Sequence, residues 1–228
     1  MKITRRDLEI MKWILEQKFM TERQIRRIFW KGIKAGSRHV YIRLKELEKE
    51  GLLKVADPEI YEDRVYMVSG KGVRQVRAFY GNCGLGEIDY LGYSNYRHDL
   101  VVTDIRIMFH ELGFDQWLSE RVLSRRNDLR RVPDGMVFNE GRYIAIEYES
   151  SQKSKRRYRE IFYNYELDRG IDRVLYIVDT VELLEKVSRQ GQACQKVYFV
   201  SMEEIKRDLL KAKLKGVLGD CSLEGLLK

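Results

Sequence analysis

Between Arg5 and Gly51, apolar residues recur at helical spacing in three short runs, each behind its own capping residue; after Gly51 the repeat drops to two. Three short helices followed by short alternating strands bury their apolar faces only against one another, as a small helical unit with a hairpin. Thr4 is placed to cap a helix over Arg5–Gln17, with Leu8, Met11 and Leu15 on one face. Thr21 caps the next, Gln24 completes a capping box three positions on, and Ile25, Ile28 and Phe29 face inward. Ser37 is expected to cap a third helix that runs to about Glu50 and stops at Gly51. Helix, short turn, helix is the order of DNA-binding helix-turn-helix units.

The third helix has two distinct faces. Val40, Leu44 and Leu47 fall at i, i+4 and i+7 and point into a core. The opposite face holds Arg38, Ile42, Lys45 and Lys49. Arginine and lysine there can reach guanine edges or phosphates, and Ile42 can lie against a thymine methyl. Glu46, Glu48 and Glu50 crowd the far end, so base contacts are expected near Arg38 and Ile42. Leu52–Ala56 and Arg64–Val68 read as two strands around the turn-rich Asp57-Pro58-Glu59, a hairpin whose Arg64 joins the basic set. The exit Ser69-Gly70-Lys71-Gly72 resembles the strand-to-helix step of winged-helix regulators.

Charge supports a polyanion partner for this part of the chain. Of 43 Lys and Arg and 35 Asp and Glu, residues 1–80 carry 19 against 11, and the other 148 residues carry 24 against 24. The whole excess of +8 therefore sits in the first third, the distribution expected when phosphates are neutralised and counterions released. A solvated basic helix face is the plainer alternative. Cys83, Cys194 and Cys221, with His39, His98 and His110, are too scattered for a disulfide framework or a zinc site. With no signal-like start and no long apolar run, the expected compartment is the cytoplasm, with no membrane partner. Gly81-Asn82-Cys83-Gly84-Leu85-Gly86 lacks the order of a phosphate-binding loop and reads as a hinge. The expected division is residues 1–80, a linker over 81–96, and a second domain over 97–228.

That second domain alternates. The pattern predicts a helix over His98–Leu112, then strands at Trp117–Val122, Val132–Phe138 and Arg142–Glu149. A helix over Ser154–Leu167 follows, then a strand at Arg173–Asp179, a helix at Val181–Ser188, a strand at Lys196–Ser201 and a helix from Met202; Leu209–Lys228 is left open as a partner helix or a frayed tail. Hairpin strands followed by crossovers imply an α/β sandwich on a mixed sheet. Pro133-Asp134-Gly135 opens one strand and Glu147-Tyr148-Glu149 closes the next, thirteen positions from Asp134 to Glu147. Alternate strand residues share a face, so Glu147 and Glu149 point together. Opposite Asp134, with Glu120 on the preceding strand, they concentrate negative charge that a hard cation such as Mg²⁺ could balance.

These motifs are similar to those of the PD-(D/E)XK nuclease superfamily. The resemblance implies Asp134 and Glu147 as ligands of Mg²⁺ or Mn²⁺. It places Glu149 where the superfamily has lysine, and leaves Lys153 as a relocated lysine if the chain bends back. Glu120 and Glu149 would be auxiliary, and Arg125, Arg126, Arg130, Arg131, Arg156 and Arg157 would meet phosphates. An N-terminal winged helix joined to the series His98-Asp99-Leu100, Trp117-Leu118-Ser119-Glu120, Pro133-Asp134-Gly135, Ile146-Glu147-Tyr148-Glu149 and Lys153-Ser154 then Arg157-Tyr158 resembles the replication-relaxation proteins of plasmids and integrative elements. Two readings stand at this point: a metal-dependent endonuclease steered by a winged helix, or a non-catalytic DNA-binding replication or transcription factor whose second domain makes contacts. Double-stranded DNA is the expected partner in both, and a homodimer is among the assemblies considered.

Overall fold

The computed structural model describes residues 2–32, 38–56 and 63–227. Ser37 and the Asp57-Pro58-Glu59 turn lie outside them. The chain divides into two compact units, Met1–Ile107 and Met108–Lys228.

In the first unit, α1 (Arg5–Gln17), β1 (Met20–Thr21), α2 (Glu22–Phe29), α3 (His39–Lys49), β2 (Leu53–Val55), β3 (Val65–Val68) and α4 (Gly70–Tyr80) follow in order. Local chemistry sets the helix starts. Thr4 Oγ1 accepts from the Asp7 N–H while the Asp7 carboxylate accepts from the Thr4 N–H at 2.7 Å. Thr21 and Gln24 repeat the exchange at α2, at 3.2 and 3.1 Å. Strands β2 and β3 form the expected antiparallel hairpin, with Leu53 opposite Val68. Strand β1, which pairs with β3 through Met20 and Tyr66, was not expected, because two residues carry no readable period. Leu8, Met11, Leu15, Ile25, Val40, Leu44 and Leu47 are buried, whereas Ile28 and Phe29, expected inside, are half-buried. Gly72 explains the second glycine of the Ser-Gly-Lys-Gly exit: a Cβ there would overlap the Leu52 carbonyl and the Val68 side chain.

Residues 81–92 hold no regular element, yet Leu85 and Leu91 are buried, and Glu87 accepts from the Gly70 N–H and pairs with Lys54 at 2.6 Å. Helix α5 (Tyr93–Glu111) carries the chain into the second unit.

There the elements are β4 (Trp117–Ser119), α6 (Glu120–Leu123), β5 (Gly135–Asn139), β6 (Arg142–Glu149), α7 (Lys155–Leu167), β7 (Arg173–Val178), α8 (Val181–Ser188), β8 (Val197–Ser201), α9 (Met202–Asp208), β9 (Lys213–Gly216), β10 (Cys221–Ser222) and α10 (Leu223–Leu227). The described strands form one sheet in the order β10-β9-β8-β7-β6-β5-β4. Pairs β6–β7 and β7–β8 are parallel and the others antiparallel, the mixed α/β architecture expected. Tyr158, Ile161, Phe162 and Tyr165 on the inner face of α7 pack with Ala145, Val174, Tyr176 and Phe199 of the sheet. Two expectations are corrected. The strand from Trp117 stops at Ser119, and Glu120 opens a short helix. The segment after Leu209 is neither tail nor lone helix: β9 pairs with β8, and α10 buries Leu223, Leu226 and Leu227.

Candidate nucleic-acid interface and carboxylate cluster

Along α3 the two faces separate cleanly. Val40, Leu44 and Leu47 are completely buried, while Arg38, Lys45 and Lys49 are exposed and Ile42 is 49% exposed. Ile42 is an aliphatic side chain held in water by a helix whose apolar positions are otherwise inside, so its exposure is not imposed by packing. Arg43, also on α3, is committed elsewhere: its guanidinium donates to both Asp7 oxygens and to Glu46. That pairing fastens α3 to the cap of α1 and leaves Arg38, Lys45 and Lys49 as the outward cations of the helix.

Sequence reasoning missed Tyr41. Its ring lies 5.1 Å from the Arg64 guanidinium and 5.7 Å from the Lys45 ammonium, so a cation from the hairpin and one from the helix meet at one aromatic ring. The Arg64 hydrogen bond, with Lys45 adding to it, holds the Tyr41 phenol below its ordinary pKa. The only sequence signal was an aromatic beside Ile42 at the edge of the polar face.

In the second unit, the antiparallel register that pairs Gly135 with Ile146 brings Asp134 beside Glu147. Asp134 Oδ2 accepts from the Tyr148 N–H at 2.8 Å, and its carbonyl accepts from the Glu120 N–H at 3.3 Å. The ends of β4, β5 and β6 thus gather the expected carboxylate-bearing residues. Gly135 is fixed by packing rather than by a turn, because a Cβ there would overlap the Trp117 ring.

What surrounds these carboxylates differs from the expectation. Glu147 is buried and receives Arg131 Nε at 2.7 Å, Arg131 Nη2 at 3.4 Å and the Tyr165 hydroxyl. Burial raises its pKa and the Asp134 charge adds to this, while Arg131 and Tyr165 oppose. Burial alone would lower the Arg131 pKa, but Glu147 outweighs it and the guanidinium is held charged. Glu149, also buried, is met by the Lys153 ammonium and by the Tyr176 hydroxyl at 3.2 Å. The chain does bend back to bring Lys153 to the cluster, through an i, i+4 contact across the β6–α7 connection.

A magnesium ion takes oxygen donors in near-octahedral array. Here the Glu147 oxygens face Arg131 and Tyr165, Asp134 Oδ2 faces a backbone N–H, and Glu149 faces Lys153 and Tyr176. Among the described residues, no three His, Cys, Asp or Glu side chains gather in a metal-binding group. The donor set in this arrangement does not fit the cation, because its charge is met by Arg131 and Lys153. The other expected arginines are dispersed. Arg126 pairs with Asp128 at 2.5 Å, the Arg130 side chain is exposed while its N–H donates to Asp168, and Arg156 and Arg157 each reach Glu160 at 3.4 Å.

The family model described as replication-relaxation matches residues 11–171. The chain belongs to the replication-relaxation family. The matched span of this replication-relaxation protein includes α3, the hairpin, α5, the carboxylate cluster and α7. Membership ties it to the replication or relaxation of plasmids and mobile elements. No curated protein and no solved structure matches the chain. Among the described residues, no helix is long and apolar enough to cross a membrane.

Proposed function

We propose that this replication-relaxation protein acts by binding double-stranded DNA, with the first unit as a winged helix-turn-helix and α3 as the helix laid in the major groove. The observation that carries this reading is the outward face of α3: Arg38, Ile42, Lys45 and Lys49 exposed, with Arg64 brought alongside through Tyr41. Arginine and lysine supply phosphate and guanine contacts, Ile42 an apolar contact to a thymine methyl, and the hairpin a flanking contact. The Arg43–Asp7 pair ties α3 to the first turn of α1.

For the second unit, we propose a PD-(D/E)XK-like scaffold that has kept the carboxylates and neutralised them internally. Arg131 and Lys153 take the place of external positive charge, so the unit contributes contacts rather than cleavage. The experiment is incubation of supercoiled plasmid with the protein in Mg²⁺ or Mn²⁺. Retarded but intact plasmid is expected. Nicking by the wild type and not by the Asp134→Ala/Glu147→Ala variant would instead assign an endonuclease to these residues.

A further inference from the structure

Helix α7 turns Tyr158, Ile161, Phe162 and Tyr165 inward, so its outermost stripe is Arg156, Glu160, Tyr163 and Leu167, with Arg159 exposed at its edge. Tyr163 is 65% exposed and Leu167 40%. Lys155, Arg156, Arg157 and Arg159 are all exposed, and the carboxylate among them, Glu160, is shared between Arg156 and Arg157. Three net positive charges therefore crowd six residues at the start of the helix. Helix stability does not ask for them: the macrodipole favours acids in the first turn, and α7 has none there. The core does not ask for Tyr163 on this face either.

We propose that the outer face of α7 binds single-stranded nucleic acid, with Tyr163 stacking on an unpaired base and Arg156 and Arg159 holding the neighbouring phosphates. Arg159 and Tyr163 lie at i and i+4, about 6 Å apart along the helix. A cation and an exposed ring at that separation suit one nucleotide's phosphate and base. A duplex presents base edges and keeps the faces stacked, so it offers the ring no partner; an unpaired strand does. This surface rests on the nucleic-acid reading above but uses neither α3 nor the carboxylate cluster.

The test is fluorescence anisotropy of the full chain with a labelled oligothymidine and with a labelled duplex. Tyr163→Ala should weaken oligothymidine binding about tenfold with an unchanged salt slope, and Tyr163→Phe should restore it. Arg159→Ala should weaken the same complex and reduce its salt slope by about 0.7. The Arg38→Ala/Lys45→Ala variant should lose duplex binding and keep the single strand; these side chains are exposed, and circular dichroism checks each fold. If the wild type fails to bind oligothymidine, or Tyr163→Ala weakens both ligands equally, the single-strand proposal is overturned. Unchanged duplex binding in the Arg38→Ala/Lys45→Ala variant would overturn the duplex reading separately.

Discussion

The Arg131 guanidinium donates to both carboxylate oxygens of Glu147, through Nε at 2.7 Å and Nη2 at 3.4 Å, sixteen positions away in the chain. Removing one partner of a buried pair strands the other charge without solvent. Arg131→Ala should therefore destabilise the second unit by about 3 kcal/mol in urea unfolding. An Arg131→Met/Glu147→Gln double variant, which removes both charges, should recover part of that loss. An unchanged midpoint in the single variant would show that the pair is not held in solution.

The same pair bears on metal. A cation that binds only the folded state raises the melting temperature by mass action. Because Arg131 and Lys153 already meet Glu147 and Glu149, millimolar Mg²⁺ or Mn²⁺ should leave the wild-type melting temperature unchanged. A rise in the wild type that disappears in Glu147→Ala would instead establish a metal site there.

Gly135 tests the origin of the Pro-Asp-Gly motif. A Cβ at this position would overlap the Trp117 ring, so Gly135→Ala must displace the indole or the strand. Overpacking of this kind costs about 1–3 kcal/mol. Changed tryptophan emission with a lowered melting temperature is expected, whereas neutral substitution would return the glycine to a turn role.

Asp7 links the cap of α1 to α3. Burial works to raise its pKa, but hydrogen bonds from Arg43 and Thr4 outweigh it and hold the carboxyl below its ordinary 3.8. A folded-state value below the unfolded one gives stability that is present above about pH 3.8 and is lost as pH falls through the depressed value. Asp7→Asn should cost about 2 kcal/mol at neutral pH, and the gap from wild type should close in acid. A gap that does not narrow at all as pH falls below 3.8 would contradict the linkage.

Much of this was legible locally. Thr4, Thr21 and Gln24 announce their helices because capping chemistry lies within three residues. The buried and exposed faces of α3 follow from a period of 3.6, and the strand β6 and helix α8 match their expected bounds. The misses are tertiary. Arg131 looked like a phosphate contact because nothing near it in sequence shows Glu147; only the β5–β6 register and α7 bring them together. Glu120 read as strand because Trp117, Leu118 and Val122 bracket it in one run, yet Ser119 caps a short helix that Glu120 opens. The short strands β1, β9 and β10 exist through their partners rather than through any pattern of their own.

The central claim is that α3 carries duplex binding, and the most direct measurement is duplex affinity against salt for the wild type and for Arg38→Ala/Lys45→Ala. Two lost phosphate contacts would lower the logarithmic salt slope by about 1.8 and weaken binding at every salt concentration. The expected result is that loss, with the fold unchanged by circular dichroism. Equal affinity and equal slope in the two proteins would remove α3 from the interface and contradict the reading.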